Sequence, residues 1–87
     1  MKPVLMFTLA GCPYCREALA WMDALRRAHP EYAAVPLTLV DEREQPDVAN
    51  AYDYWYVPTF YVGADKLHEG AATPEIIERV FARALNA

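Results

Sequence analysis

Two residues of this chain can do redox chemistry, and they stand together in the run Cys12-Pro13-Tyr14-Cys15. They are the only cysteines present. On the first turn of a helix, residues three apart share a face, so two sulfurs at this spacing can close or open a short disulfide with little backbone movement. The surrounding residues supply that helix. Ala10-Gly11 breaks an apolar run, Cys12 stands where an N-cap would, and Pro13 suits the first helical position, where its missing N–H would go unpaired in any case. The Cys12 sulfur then faces free backbone N–H groups at the positive end of the helix dipole, which favours thiolate over thiol. Thiols so placed titrate at about 3.5–7.5, against ~8.5 for free cysteine. Cys15 lies one turn deeper, is more shielded and reacts second. Arg16 adds positive potential nearby, and Tyr14 is exposed within the motif, where it can touch a substrate. The competing reading is half of a zinc site. It lacks ligands, because only His29 and His68 remain, one at the far end of the helix and one on a short outer strand. No metal is expected.

Val57-Pro58-Thr59 is the second informative place. Proline directly before a strand is unusual, since it cannot donate a ladder hydrogen bond. An ordinary trans proline opening the strand is the plainer alternative. Taken with the cysteine motif upstream, a cis bond is the expectation. It would hold the backbone of Val57 open at the end of the sheet, beside the cysteines, where an extended substrate can pair its main chain.

These residues need a scaffold, and the rest of the chain provides one. Pro3 to Leu9 is continuously apolar and reads as a strand buried on both faces. The helix after Cys12 runs to about Ala28 with two apolar stripes: Cys15, Leu19, Met22 and Leu25, and Ala18, Trp21, Ala24 and Ala28. Trp21 is assigned to the core. Arg26, Arg27 and His29 favour the dipole at its end, and Pro30 stops it. Val35 to Asp41 reads as a second strand. A short helix opened by Pro46 and Asp47 is expected over Gln45 to Tyr54. Thr59 to Val62 and Lys66 to Glu69 form a hairpin around Gly63-Ala64-Asp65. Thr73 caps a last helix with Pro74 in first position, and Ile76, Ile77, Val80, Phe81, Ala84 and Leu85 form its apolar stripe. The order β-α-β-α-β-β-α predicts one α/β domain over residues 1–87. Its expected architecture is a four-stranded mixed sheet with helices on both faces.

Composition narrows the function classes. With 87 residues, 55% of them hydrophobic, the chain can bury one modest core and is not disordered. The net charge is -4 without long runs of either sign, and no basic patch with interleaved aromatics appears, so no nucleic-acid partner is expected. Val4 to Ala10 is too short to span a bilayer, so no membrane association is expected either. Met1-Lys2-Pro3 leads straight into the first strand and Cys12 with no cleavage site between, which predicts a cytoplasmic protein. In a reducing compartment a lone cysteine pair points to catalysis rather than to a structural staple.

In this order and spacing, Cys12-Pro13-Tyr14-Cys15, Val57-Pro58-Thr59 and Gly70 resemble the thioredoxin superfamily, and the resemblance covers nearly the whole chain. The cysteine motif and short length are similar to dithiol glutaredoxins. Ala51-Tyr52, Val57-Pro58-Thr59-Phe60 and Glu69-Gly70-Ala71 are more similar to thioredoxins. The resemblance implies a minimal thioredoxin fold and a thiol–disulfide oxidoreductase. Cys12 would be its nucleophile and Cys15 its resolving thiol. Val57 and Pro58 would dock the substrate, and Gly70 would let backbone approach the site closely. Implied partners are disulfide-containing proteins and an electron donor, either a reductase or glutathione as co-substrate. No tightly bound cofactor is implied, and a monomer is expected. The chain departs from the glutaredoxin pattern in two places. Thr8 and Leu9 stand where a basic residue usually binds a glutathione carboxylate, and Ala72 and Thr73 stand where an acidic residue usually holds the amino group. Thioredoxins usually carry Trp before the first cysteine and Gly-Pro within the pair; here stand Gly11 and Pro13-Tyr14. An iron–sulfur carrier sharing a cluster between the Cys12 thiolates of two chains ranks below exchange, because such carriers commonly have Gly in place of Pro-Tyr.

Tyr52, Tyr54, Trp55 and Tyr56 crowd the approach to Pro58. They read either as an aromatic rim for protein substrates or as two core rings and two surface rings, with Tyr52 assigned to the core. Asp41-Glu42-Arg43-Glu44 reads as a solvated loop, with Arg43 as a candidate contact for a glutathione carboxylate.

Overall fold

The computed structural model describes residues 1–87. Its elements are β1 (Val4–Thr8), α1 (Pro13–Ala28), α2 (Pro30–Ala33), β2 (Leu37–Asp41), α3 (Pro46–Asn50), β3 (Thr59–Val62), β4 (Asp65–Glu69) and α4 (Pro74–Asn86). The strands form one mixed sheet in the order β2-β1-β3-β4. β1 runs parallel to β2 and antiparallel to β3, and β3 pairs antiparallel with β4.

Strand alternation distributes the apolar residues to two faces. Val4, Met6, Phe60 and Val62 face α1 and α4, where they join Cys15, Ala18, Met22, Ile77, Val80, Phe81 and Ala84 in one core. Phe7 and Tyr61 face the other way and pack with Val40 and with Ala49 of α3. β1 is an interior strand, apolar from Val4 to Phe7 because both its faces are covered. The expected α/β sheet with helices on both faces is therefore the observed one. No helix is long and apolar enough to cross a membrane.

Several boundaries differ from expectation. Pro30 stops α1 but also opens α2, whose first turn closes as Tyr32 N–H and Ala33 N–H donate to the His29 carbonyl at 2.9 and 3.2 Å. Pro takes the first position of a helix without losing a bond, so one residue serves both as stop and as start. β2 begins at Leu37 rather than Val35, because Val35 is buried in the core and Pro36 has no N–H to donate. β4 begins one residue early, at Asp65. α3 ends at Asn50 rather than near Tyr54, since Tyr52 and Tyr54 turn inward onto Phe7. The second stripe of α1 is covered in part: Ala18 is buried in the core and half-buried Trp21 packs against it, while Ala24 and Ala28 are exposed.

Candidate active site

The turn between β1 and α1 is built backbone first. Gly11 takes φ +88°, a region open to glycine at little cost, and this turns the chain from strand to helix. Cys12 then adopts extended angles (φ −81°, ψ 116°) as the N-cap, with Pro13 following in first position. Its N–H donates to the Leu9 carbonyl at 3.1 Å, and its carbonyl accepts from Arg16 N–H at 3.1 Å. The turn is also pinned from the side. Asp41, at the end of β2, accepts Ala10 N–H at 3.0 Å through one oxygen and Arg43 and Glu44 N–H at 2.8 and 3.2 Å through the other. The Arg43 N–H is the strongest of the influences holding this carboxyl below its usual range. Asp41 is thus an anchor of the cysteine turn rather than the solvated loop residue expected. Glu42 is also engaged, accepting the Tyr54 hydroxyl at 2.8 Å. Arg43 and Glu44 are exposed.

The two thiols lie close together, both reduced, and their environments push them apart. Partial burial raises the Cys12 thiol. The Cys15 N–H, the Cys15 thiol and the Tyr14 N–H outweigh this, Arg16 adds its charge, and the net is below the ordinary value. Pro13 has no N–H to offer, so the first-turn donors facing the sulfur are those of Tyr14 and Cys15. Cys15 is 2% exposed. Burial raises its thiol; the Thr8 hydroxyl and the Leu9 backbone pull the other way without compensating, and the nearby Cys12 raises it further. Thr8 as a partner of Cys15 is a contact that sequence reasoning missed.

The second half of the site comes from the start of β3. The Val57–Pro58 peptide bond is cis, as expected. β1 and β3 pair Phe7 with Thr59, and continuing that register puts Pro58 beside Thr8 and Val57 beside Leu9. The Pro58 carbonyl accepts Gly70 N–H at 2.7 Å, while neither the N–H nor the carbonyl of Val57 has a partner within the chain. Gly70 takes φ +93°, a region that favours glycine, and a Cβ there would meet no atom of the chain within 4 Å. Ahead of Val57, Glu69 accepts the Trp55 and Tyr56 N–H groups at 2.5 and 3.0 Å through Oε2 and Lys66 Nζ at 2.8 Å through Oε1. Lys66, then Trp55 N–H, hold the Glu69 carboxyl down at about 2. The Thr59 hydroxyl donates to the Tyr56 carbonyl.

The aromatic residues divide. Tyr54 stacks on Phe7 with centroids 4.6 Å apart, and Tyr52 packs tilted on Phe7 and edge-on to Tyr61, at 4.9 Å each. Trp55 and Tyr56 are 86% and 70% exposed, and Tyr14 55%. Cys12 and Val57 thus both pack against the core that holds Cys15, Pro58 follows at the head of β3 with Gly70 N–H on its carbonyl, and Tyr14 is exposed. A cavity of about 460 Å³ reaches the cysteine turn at Leu9 and is lined also by Arg43, Asn50 and Trp55 among others.

A strand–turn–helix cysteine pair and a cis proline opening the neighbouring strand, on a sheet of this order, define a thioredoxin-like fold, and the chain has it. Comparison with solved structures agrees. The chain is similar to mitochondrial thioredoxin 3 from Saccharomyces cerevisiae in its oxidised form, with a TM-score of 0.75 and 26% identity, over 94% of this chain and 77% of that one. It also superimposes on a structure described as a malarial protein, with a TM-score of 0.70 and 19% identity over 94% of each chain, a likeness of fold. No protein-family model and no curated protein matches the chain.

Proposed function

We propose that the protein is a dithiol thiol–disulfide oxidoreductase that reduces disulfides through Cys12 and Cys15. The observation that carries this is the opposed state of the two sulfurs: Cys12 favours thiolate at the helix N-terminus, and Cys15 is buried in contact with it as a protonated reserve. A thioredoxin as structural neighbour supports the same class. In the first step the Cys12 thiolate attacks one sulfur of a substrate disulfide. The S–S bond breaks, a mixed disulfide forms on Cys12, and the other substrate sulfur leaves as thiolate and takes a proton from water. Cys15 then gives up its proton and attacks the Cys12 sulfur. The second substrate thiolate is released and a Cys12–Cys15 disulfide remains. Two electrons have passed from the protein to the substrate, so a donor must return two. The unpaired Val57 backbone offers a partner for the main chain of an extended substrate.

Arg43 on the wall of the cavity beside the turn supports glutathione as one donor, since its guanidinium suits a peptide carboxylate. A reductase of the thioredoxin-reductase type is the other. In a reducing cytoplasm, couples of about −200 to −270 mV run toward substrate reduction. The test is Cys15→Ser. It should abolish turnover of protein disulfides and accumulate mixed disulfides on Cys12, detected by intact mass. A variant that turns over normally refutes the resolving role. Coupled NADPH assays with thioredoxin reductase, and with glutathione plus its reductase, identify the donor.

A further inference from the structure

The segment before Val57 combines a firmly held backbone with bare rings. Trp55 and Tyr56 project 86% and 70% exposed, so burial of their rings contributes little to the fold. Their main chain, however, is gripped. One carboxylate, Glu69 at the end of β4, takes both their N–H groups at 2.5 and 3.0 Å. The same carboxylate holds Lys66 Nζ at 2.8 Å, and that ammonium reaches on to the Asp53 carbonyl at 3.2 Å. Thr59 holds the Tyr56 carbonyl from the other end. The segment from Asp53 to Tyr56 is thus fixed at both ends to strands of the sheet, although it belongs to none. It leads directly into the unpaired backbone of Val57, and Trp55 shares a cavity wall with Leu9, whose carbonyl caps the Cys12 N–H.

Exposed apolar rings on an ordered backbone are characteristic of interaction sites. Ordering a loop before binding removes a cost that would otherwise fall on association. A polypeptide laid along Val57 toward Cys12 passes these rings, whereas a small disulfide needs only the Cys12 sulfur.

We propose that Glu69 is a positioning residue that pre-organises Trp55 and Tyr56 as a specificity-determining pair, so that the site favours disulfides carried in an extended, apolar protein segment over small disulfides. The proposal rests on the exchange reaction given above and names its substrate class. With its carboxyl held at about 2, Glu69 keeps its charge, and so its grip, throughout the neutral range.

The test uses the pre-reduced protein in single-turnover exchange with excess insulin, a protein disulfide, and with 2-hydroxyethyl disulfide, a small one. Glu69→Gln and the double variant Trp55→Ala/Tyr56→Ala should each raise the half-saturating insulin concentration roughly ten-fold, about 1.4 kcal/mol. The limiting rate should change much less, and the preference for insulin over the small disulfide should fall by the same ten-fold. In a Trp21→Phe background, where Trp55 is the sole indole, Glu69→Gln should also shorten the anisotropy decay. Variants that keep the wild-type preference overturn the proposal. So does a Glu69→Gln protein that slows both substrates equally with unchanged anisotropy, which marks a general structural effect. If the wild type exchanges neither disulfide, the oxidoreductase reading falls with it; if it exchanges both and only the preference is unmoved, this inference alone falls.

Discussion

Alkylation of Cys12 at mild pH tests the physical core of the site. Cys15→Ser isolates the Cys12 thiol while keeping a hydrogen-bond donor where the Cys15 thiol touches it. Because its pKa is lowered, Cys12 carries a larger thiolate fraction below neutrality than an ordinary cysteine does. Reactivity gains less than the thiolate fraction does, because a less basic thiolate is a weaker nucleophile, with a Brønsted slope of ~0.4–0.5. The pH midpoint is therefore a sharper readout than the rate. Iodoacetamide labelling followed by intact mass from pH 4 to pH 10 should give a midpoint for Cys12 below the ~8.5 of a free thiol. The complementary Cys12→Ser variant should label Cys15 only at higher pH, and more slowly because the thiol is buried. Arg16→Gln should raise the Cys12 midpoint only slightly, since its charge is the least of the effects on that sulfur. A Cys12 midpoint at or above 8.5, or a lower one on Cys15, would refute the thiolate account.

Thr8→Val removes the hydroxyl that favours the Cys15 thiolate; a neutral hydrogen bond is worth about 1 kcal/mol, so stopped-flow release of substrate from the mixed disulfide should slow roughly five-fold. Asp41→Asn removes a carboxylate whose folded pKa is depressed, chiefly by Arg43 N–H. Its stabilisation is present above the unfolded value of ~3.9 and lost as pH falls through the lower folded value, so the variant should show a flatter acid limb in Tm against pH. Gly70→Ala forces a Cβ onto φ +93° without a clash and should cost about 1–3 kcal/mol in urea unfolding, with the m-value unchanged.

Where the sequence was informative, one residue had one local job. Cys12 as cap, Pro13 and Pro74 in first positions, and Thr73 accepting Ile76 N–H at 3.2 Å are all decided within a few residues, and each reads directly from the chain. The missed helix α2 was legible by the same rule. Pro30-Glu31 repeats the proline–acid pair found at Pro46-Asp47 and Pro74-Glu75, yet in the shadow of a longer helix it read only as a stop. Asp41, Glu69 and Thr8 were not legible. Asp41 meets Ala10 across 31 positions and Glu69 meets Trp55 across 14, and nothing local distinguishes such acids from solvated ones until the sheet brings the ends together. Gly70 was singled out through the resemblance, and the structure adds a second reason for glycine there, its backbone angle.

The sheet order gives the two halves of the site unequal security. The sulfurs ride at the tip of β1, an interior strand with neighbours on either side, whereas the ring-bearing segment is tethered by Glu69 to β4, which borders solvent along one edge. Boundary strands open more readily than interior ones. Warming should therefore blunt discrimination among substrates while thiol reactivity persists, and the protein would become less choosy before it becomes inert.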